Sequence, residues 1–279
     1  MYALPTRFRT VSGFAKADVP LSNDEIRRAA PSIFAEAAHG SRSDKYTYIP
    51  TATVLDGLRK EGFQPFLVLQ AGTRSEGRQE YTKHLVRLRH ASRLAVGAEA
   101  QEIVLVNSHD GSSSYQMIAG VYRIVCANGL VCGDKMEDFK VPHRGNVVDR
   151  VIEGAYRILG QFDQVEAAKD AMKSVRLSPG EQNAFAAAAL ELRFDRQDGA
   201  VAPVTPAQVL APHRSEDMAD TLWTKFNVAQ ENLVRGGIPA RTANGRRTRT
   251  RAVQGIDQSV RLNRALWVLS EEMAKLKAA

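Results

Sequence analysis

The hydrophobic period of this chain changes from two to about 3.6 near Asn146, which dictates how a core can be built from it. Before that point, short apolar runs alternate or stand between turn signals. Pro65–Gln70 (PFLVLQ), Tyr81–Arg89 (YTKHLVRLR) and Glu102–Asn107 (EIVLVN) read as strands, as do Ser114–Cys126 and Leu130–Gly133. Ser75–Glu80, Asp110-Gly111 and Asn128-Gly129 supply the turns, the last as a hairpin signal. Strands in succession joined by tight turns predict an antiparallel meander. Helices precede it: Ser22 with Glu25 forms a capping box for a helix broken at Pro31. Thr53–Glu61 places Val54, Leu55 and Leu58 on one side and stops at Gly62.

After the change, Val148, Val151, Ile152, Ala155, Ile158, Leu159 and Phe162 recur at helical steps and predict one long amphipathic helix. Ser178-Pro179-Gly180-Glu181 caps a second, Ala-rich helix through Arg193. Thr205-Pro206 opens a short one, Met218–Leu233 forms another, and Gln258–Lys277, bearing Trp267, ends the chain. Strands followed by helices give an α+β class. The expected organisation is an α+β core with the meander over residues 1–175 and a helical region over 176–279.

Charge is concentrated in the second part. Residues 235–264 hold eight arginines, no lysine and one acid, Asp257, a formal +7 that equals the net charge of the whole chain. The remainder therefore balances to zero, and the excess is local. Arginine's planar fork suits phosphate oxygens, so this composition points to nucleic acid. A solvated loop, or arginines pairing with acids of another subunit, has the same composition. No apolar run approaches the roughly 20 residues that span a bilayer, and the N-terminus carries no hydrophobic signal core, so a cytoplasmic, non-membrane protein is expected. Cys126 and Cys132 lack CxxC spacing and read as small buried residues. Phosphate-loop, dinucleotide and nucleophile-elbow motifs do not occur, and no cofactor is expected.

Several islands resemble the family catalogued as domain of unknown function 932, whose members are carried by plasmids and prophages. They are Ala30–Phe34, the Tyr81–Arg89 strand, Val106–Gly111 (VNSHDG), Arg123–Gly133 (RIVCANGLVCG), Gly245–Arg251 and Asn263–Trp267. The resemblance supplies no activity but implies a mobile-element setting. The order helix, basic meander, long helix is also similar to the core of single-strand annealing proteins, which assemble into rings or filaments around single-stranded DNA.

Three constellations are candidate sites. Arg241, Arg246, Arg247, Arg249 and Arg251 would contact phosphates, with Arg247, Arg249 and Arg251 on one edge if TANGRRTRTR is extended. Lys83, Arg87 and Arg89 fall on one strand face, as the floor of a DNA groove or as a charged edge strand. His84, His109 and Asp110, with Ser108 and His143, offer the alternative of a metal site for a nuclease, although Asn107–Gly111 is equally a turn sequence. Tyr46, Tyr48, Tyr81, Tyr115 and Tyr122 are either core or base-stacking surfaces. The expectation is an oligomeric, non-enzymatic protein that binds single-stranded DNA and anneals strands in recombination or plasmid maintenance. A metal-dependent nuclease and a factor that blocks a host-defence complex are the alternatives.

Overall fold

A computed structural model describes residues 11–42, 48–93, 99–113, 115–123, 128–131, 139–140, 147–194, 202–242 and 245–278. Tyr46, Cys126, Cys132 and His143, and the side chain of Tyr122, lie outside what is described. The architecture is α+β, as the change of period predicts. Two compact units divide within one helix, between Phe162 and Asp163, whereas the sequence expectation set the boundary at 175.

The first unit comprises 11–162 with Gln254–Ile256. Its sheet runs β1 (Val11–Lys16), β2 (Phe63–Ala71), β3 (His84–His90), β4 (Glu99–Asn107), β5 (Gln116–Arg123) and β6 (Asn128–Val131) in chain order, with β7 (Phe139–Lys140) also on β5. Every pairing is antiparallel, so the meander is realised. One detail differs from the sequence reading. Asn128 and Gly129 do not make the turn: they pair with Arg123 and Tyr122 inside the β5–β6 ladder. The extra edge strand β1 was not anticipated, because VSGFAK has neither alternation nor an apolar run.

Helix α1 (Asn23–Ala29) starts at the predicted capping box: Glu25 N–H donates to Ser22 Oγ at 3.3 Å and Ser22 N–H to Glu25 Oε2 at 2.8 Å. Helix α2 (Thr51–Lys60) buries Val54, Leu55 and Leu58. Arg59 ties it to the start of α1 through Asn23 Oδ1 at 2.7 Å and the Leu21 carbonyl at 2.8 Å. Both helices pack on β2, and α1 also covers β1. The contact between α1 and β1 is so close that a Cβ on Gly13 would stand 1.5 Å from the Ala29 carbonyl oxygen. The long helix α3 (Val147–Ser174) contributes its first half to this unit, burying Val151, Ala155, Ile158 and Phe162.

The second unit comprises Asp163–Val253 and Asp257–Ala279. It holds α4 (Pro179–Arg193), α5 (Pro206–Val209), α6 (Leu222–Arg235), a two-stranded hairpin of β8 (Pro239–Arg241) and β9 (Arg247–Arg249), and α7 (Ile256–Ala278). Helix α6 is buried on every side from Leu222 to Leu233, apart from Thr224. Its apolar side meets α7 in a ring cluster of Trp223, Phe226 and Trp267, with centroids 5.5–6.4 Å apart. Several groups of its polar side find partners. Gln230 donates to Asn263 Oδ1 at 2.8 Å, Asn232 donates to the Val209 and Ala211 carbonyls, and Arg214 forks onto Glu231 at 2.7 and 2.8 Å. A buried helix of mixed polarity is stable only with such satisfaction.

Replacing Gly13 by Ala drives the new methyl into backbone rather than into a movable side chain. We expect a loss of about 1–3 kcal/mol or more in urea unfolding, with the slope unchanged.

Candidate nucleic-acid interface

The arginine block divides into paired and unpaired members. Arg235 is spent on Glu231, which also receives the Arg214 fork. Arg241, Arg246, Arg247, Arg249 and Arg251 are exposed, and among the described residues none of the five has an ion-pair partner. The β8–β9 hairpin organises three of them. Its register sets Arg241 opposite Arg247 and Pro239 opposite Arg249, so these side chains share a face while Ala240 and Thr248 take the other. Ala240 is buried, which turns the arginine face outward. Two like charges directly opposite one another oppose pairing. The cross-strand neighbour of Arg247 is thus Arg241; Arg247 and Arg249 share one face, as the alternation predicts, and Arg251 lies beyond the end of β9.

The base of the hairpin is fixed to the unit. Arg193 donates to the Leu233 carbonyl at 3.2 Å, at the end of α6, and to the Arg251 carbonyl at 3.0 Å, just past β9. The chain leaves α6 through Gly236 at φ 65°, where a Cβ would come within 2.6 Å of the Arg251 backbone. Gly237 and Thr250 continue the ladder, and Gln208 holds the Pro239 carbonyl at 2.8 Å.

The second basic patch has a different character. Arg87 and Arg89 are each only 7% exposed, and both donate to Glu102, at 3.0 and 2.9 Å. Arg89 also lies over the Phe66 ring, 4.3 Å from its centroid. Lys83 is buried as well. The strand face read as a groove floor or charged edge is therefore a covered ion cluster, and these residues do not present an open cationic surface. Period two identified the face but carried no information on whether it was covered.

On the opposite face of the same strands, register aligns Gln70, His84 and Asn107 in one row across β2, β3 and β4. Thr51, at the start of α2, closes the row. Its hydroxyl lies 3.0 Å from His84 Nε2, 3.4 Å from His109 Nε2 and 2.9 Å from the donating Asn107 Nδ2. His84 Nδ1 faces Ser32 Oγ at 3.0 Å and the Thr82 carbonyl at 3.3 Å. A carbonyl only accepts, so this pattern assigns the proton to Nδ1 of His84 and makes its Nε2 the acceptor from Thr51. His109 then donates from Nε2, and its Nδ1 has no partner within hydrogen-bonding distance among the described residues. Burial, and for His84 the neighbouring His109, lowers the pKa of His84 to about 3; burial lowers that of His109 to about 4.

Thr51 and Ser32 thus tie the two histidines to α2 and to the segment that follows α1. Burial disfavours the Asp110 charge, but hydrogen bonds from Ser112 outweigh it and keep the carboxyl below its ordinary value; the backbone N–H of Ser112 donates to Oδ1 at 2.9 Å. Ser108 and Ser113 close the same turn, with Gly111 at φ 75°. Among the described residues no three His, Cys, Asp or Glu side chains are grouped to hold a metal ion. Of the tyrosines, Tyr115 is buried, Tyr48 donates to the Ala35 carbonyl beside His109, and Tyr81 stands edge-on to His39. Thr51, Ser32, Gln70 and Asn107 were missed from sequence, although each of the three strands shows the signal: an apolar face that ends in one polar residue.

Two outcomes follow. Glu102→Gln leaves two buried guanidiniums without their carboxylate and is expected to cost about 3–5 kcal/mol in denaturant unfolding; Glu272→Gln, in the exposed pair with Lys275, should leave the midpoint in place. The histidines give a pH signature. An unfolded histidine titrates near 6.5 while the folded pair stays neutral to about 3 and 4, so the unfolded state takes up protons first. Stability is full above pH 6.5 and falls as pH drops toward 4, by about 1–2 kcal/mol per histidine by pH 5. Unfolding curves at pH 7 and pH 5 check this, and His109→Gln should reduce the difference by about half, leaving the His84 share. Carboxylates contribute only at lower pH, which separates the two effects.

Among the described residues no helix is long and apolar enough to cross a membrane. Two curated proteins of Escherichia coli (strain K12), UPF0380 protein YafZ and UPF0380 protein YfjQ, are each 50% identical to this chain over 273 residues, covering 98% of both sequences. No solved structure matches the chain. The model of the family described as Domain of unknown function (DUF932) matches residues 38–267, and the chain belongs to that family.

Proposed function

We propose that this protein is a non-enzymatic nucleic-acid-binding factor that grips the phosphates of single-stranded DNA through the β8–β9 hairpin. It would serve a plasmid or prophage by bringing complementary strands together. The observation that carries this reading is the outward face of the hairpin. Arg241, Arg247 and Arg249 share it, they are exposed, and they have no carboxylate partner among the described residues. Three arginines on one face, Arg241 tied to the Gly245 carbonyl and Arg249 to the Gly237 carbonyl, make a favourable place for a polyanion, because each phosphate offsets like charge as well as adding its own attraction. Arg246 and Arg251 extend the positive surface on either side of β9. Arg87 and Arg89 are left out of the contact set, since Glu102 already neutralises part of their charge in a covered site. The nuclease reading gains no support, because His84, His109 and Asp110 are engaged in hydrogen bonds that hold the turn and the sheet.

Fluorescence anisotropy with a labelled oligodeoxythymidylate over a salt series tests the proposal. Affinity should fall linearly on logarithmic axes, with a slope near −0.7 per phosphate neutralised on a single strand. The triple variant Arg241→Gln, Arg247→Gln, Arg249→Gln should bind more weakly and lose about two units of that slope. An affinity indifferent to salt, or a triple variant that binds as the parent does, would overturn the assignment. Light scattering of the same samples reports whether the protein assembles on the strand.

A further inference from the structure

Beside the arginine hairpin lies an open groove of about 1060 Å³. Ala202, Pro203, Val204, Pro239 and Ala240 give it an apolar lining, and the three hairpin arginines border it. Among the described residues no Asp or Glu lines it, and no aromatic side chain does. The backbone is tied across it: Arg241 N–H donates to the Pro203 carbonyl at 3.3 Å, and Gln208 reaches the Pro239 carbonyl at 2.8 Å. The groove is therefore held by hydrogen bonds between its own walls and is at least as large as the ~300–1,000 Å³ typical of small-molecule sites.

We infer that this groove takes the unpaired bases of a strand whose phosphates lie on Arg241, Arg247 and Arg249, an inference that rests on the phosphate-binding reading above. An apolar channel with a purely cationic border excludes cations and basic peptides by charge. It suits a ligand that alternates an anionic backbone with flat, weakly hydrated rings. Proline rings and guanidinium planes accept bases in face contact without hydrogen-bond readout, so the recognition is indifferent to sequence. In a duplex the base faces are stacked on one another, and only the phosphates remain available. Discrimination between single and double strands then comes from the groove, and overall affinity comes from the arginines.

Three probes of equal length separate these contributions in the full-length wild-type protein: oligodeoxythymidylate, the same backbone carrying abasic tetrahydrofuran sites, and polyglutamate. The thymidylate should bind measurably tighter than the abasic strand, by less than the roughly five- to hundredfold that stacking of one base on an aromatic ring supplies, and polyglutamate should bind more weakly still. Ala202→Leu, which narrows the groove and leaves every arginine in place, should bring the thymidylate-to-abasic ratio toward one while abasic affinity stays unchanged. The triple arginine variant should weaken both strands together. Equal binding of thymidylate and abasic strand by the wild-type protein overturns the groove assignment and leaves the phosphate reading standing. Polyglutamate binding as tightly as thymidylate overturns the nucleotide as occupant. Failure of all three probes to bind overturns both readings.

Discussion

Strand register in the β2–β3–β4 ladder fixes the chemistry of both faces of the first unit. On one face it brings Gln70, His84 and Asn107 side by side, the last two within reach of the Thr51 hydroxyl; on the other it sets Glu102 where Arg87 and Arg89 converge. A slip of one residue would exchange the faces, taking both histidine and arginine partners away. Buried polar groups without partners cost more than their hydrogen bonds return. The two clusters thus penalise every register but one, which the uniformly apolar Val86, Leu88, Ile103 and Leu105 would distinguish only weakly.

The second unit applies the same rule to a helix. Helix α6 carries Asn227, Gln230, Glu231 and Asn232 into the interior, and each supplies a specific contact within α6 or to a neighbouring segment. Its C-terminal end is where burial stops and the cationic hairpin begins. Arg193 clasps that junction by its backbone carbonyls alone, so the clasp is independent of the side chains presented beyond it. Of the outward residues, Arg249 adds its own tie to that base, donating to the Gly237 carbonyl at 2.7 Å.

Much of this was legible in the sequence because it depends on near neighbours. The capping boxes at Ser22, Ser178 and Thr205 act over three residues, and all three form. The α2 stripe and the order of the meander are likewise written in local periodicity. What was not legible depends on distant partners. Nothing in YTKHLVRLR announces that a carboxylate 13 to 15 residues onward lies beneath its arginines. The alternation in RRTRTR identified an extended segment, but the residue opposite Arg247 is set by where the chain turns back, and that residue is Arg241. Strand β1 escaped because an edge strand packed under a helix by glycine needs no hydrophobic pattern. The buried hydroxyl and amides were visible only as single polar interruptions of apolar faces.

The facing pair Arg241 and Arg247 has a consequence for how the molecule responds to ions. Elsewhere in the chain, mobile ions screen attractions such as the exposed Lys275–Glu272 contact and so loosen it. Across the hairpin they screen a repulsion, and the two strands are drawn together as ionic strength rises. The cationic face of the hairpin is therefore most splayed in dilute electrolyte, where its field reaches farthest, and most tightly paired in brine, where that field is most screened. Reach and rigidity trade against each other through the ions of the surrounding solution.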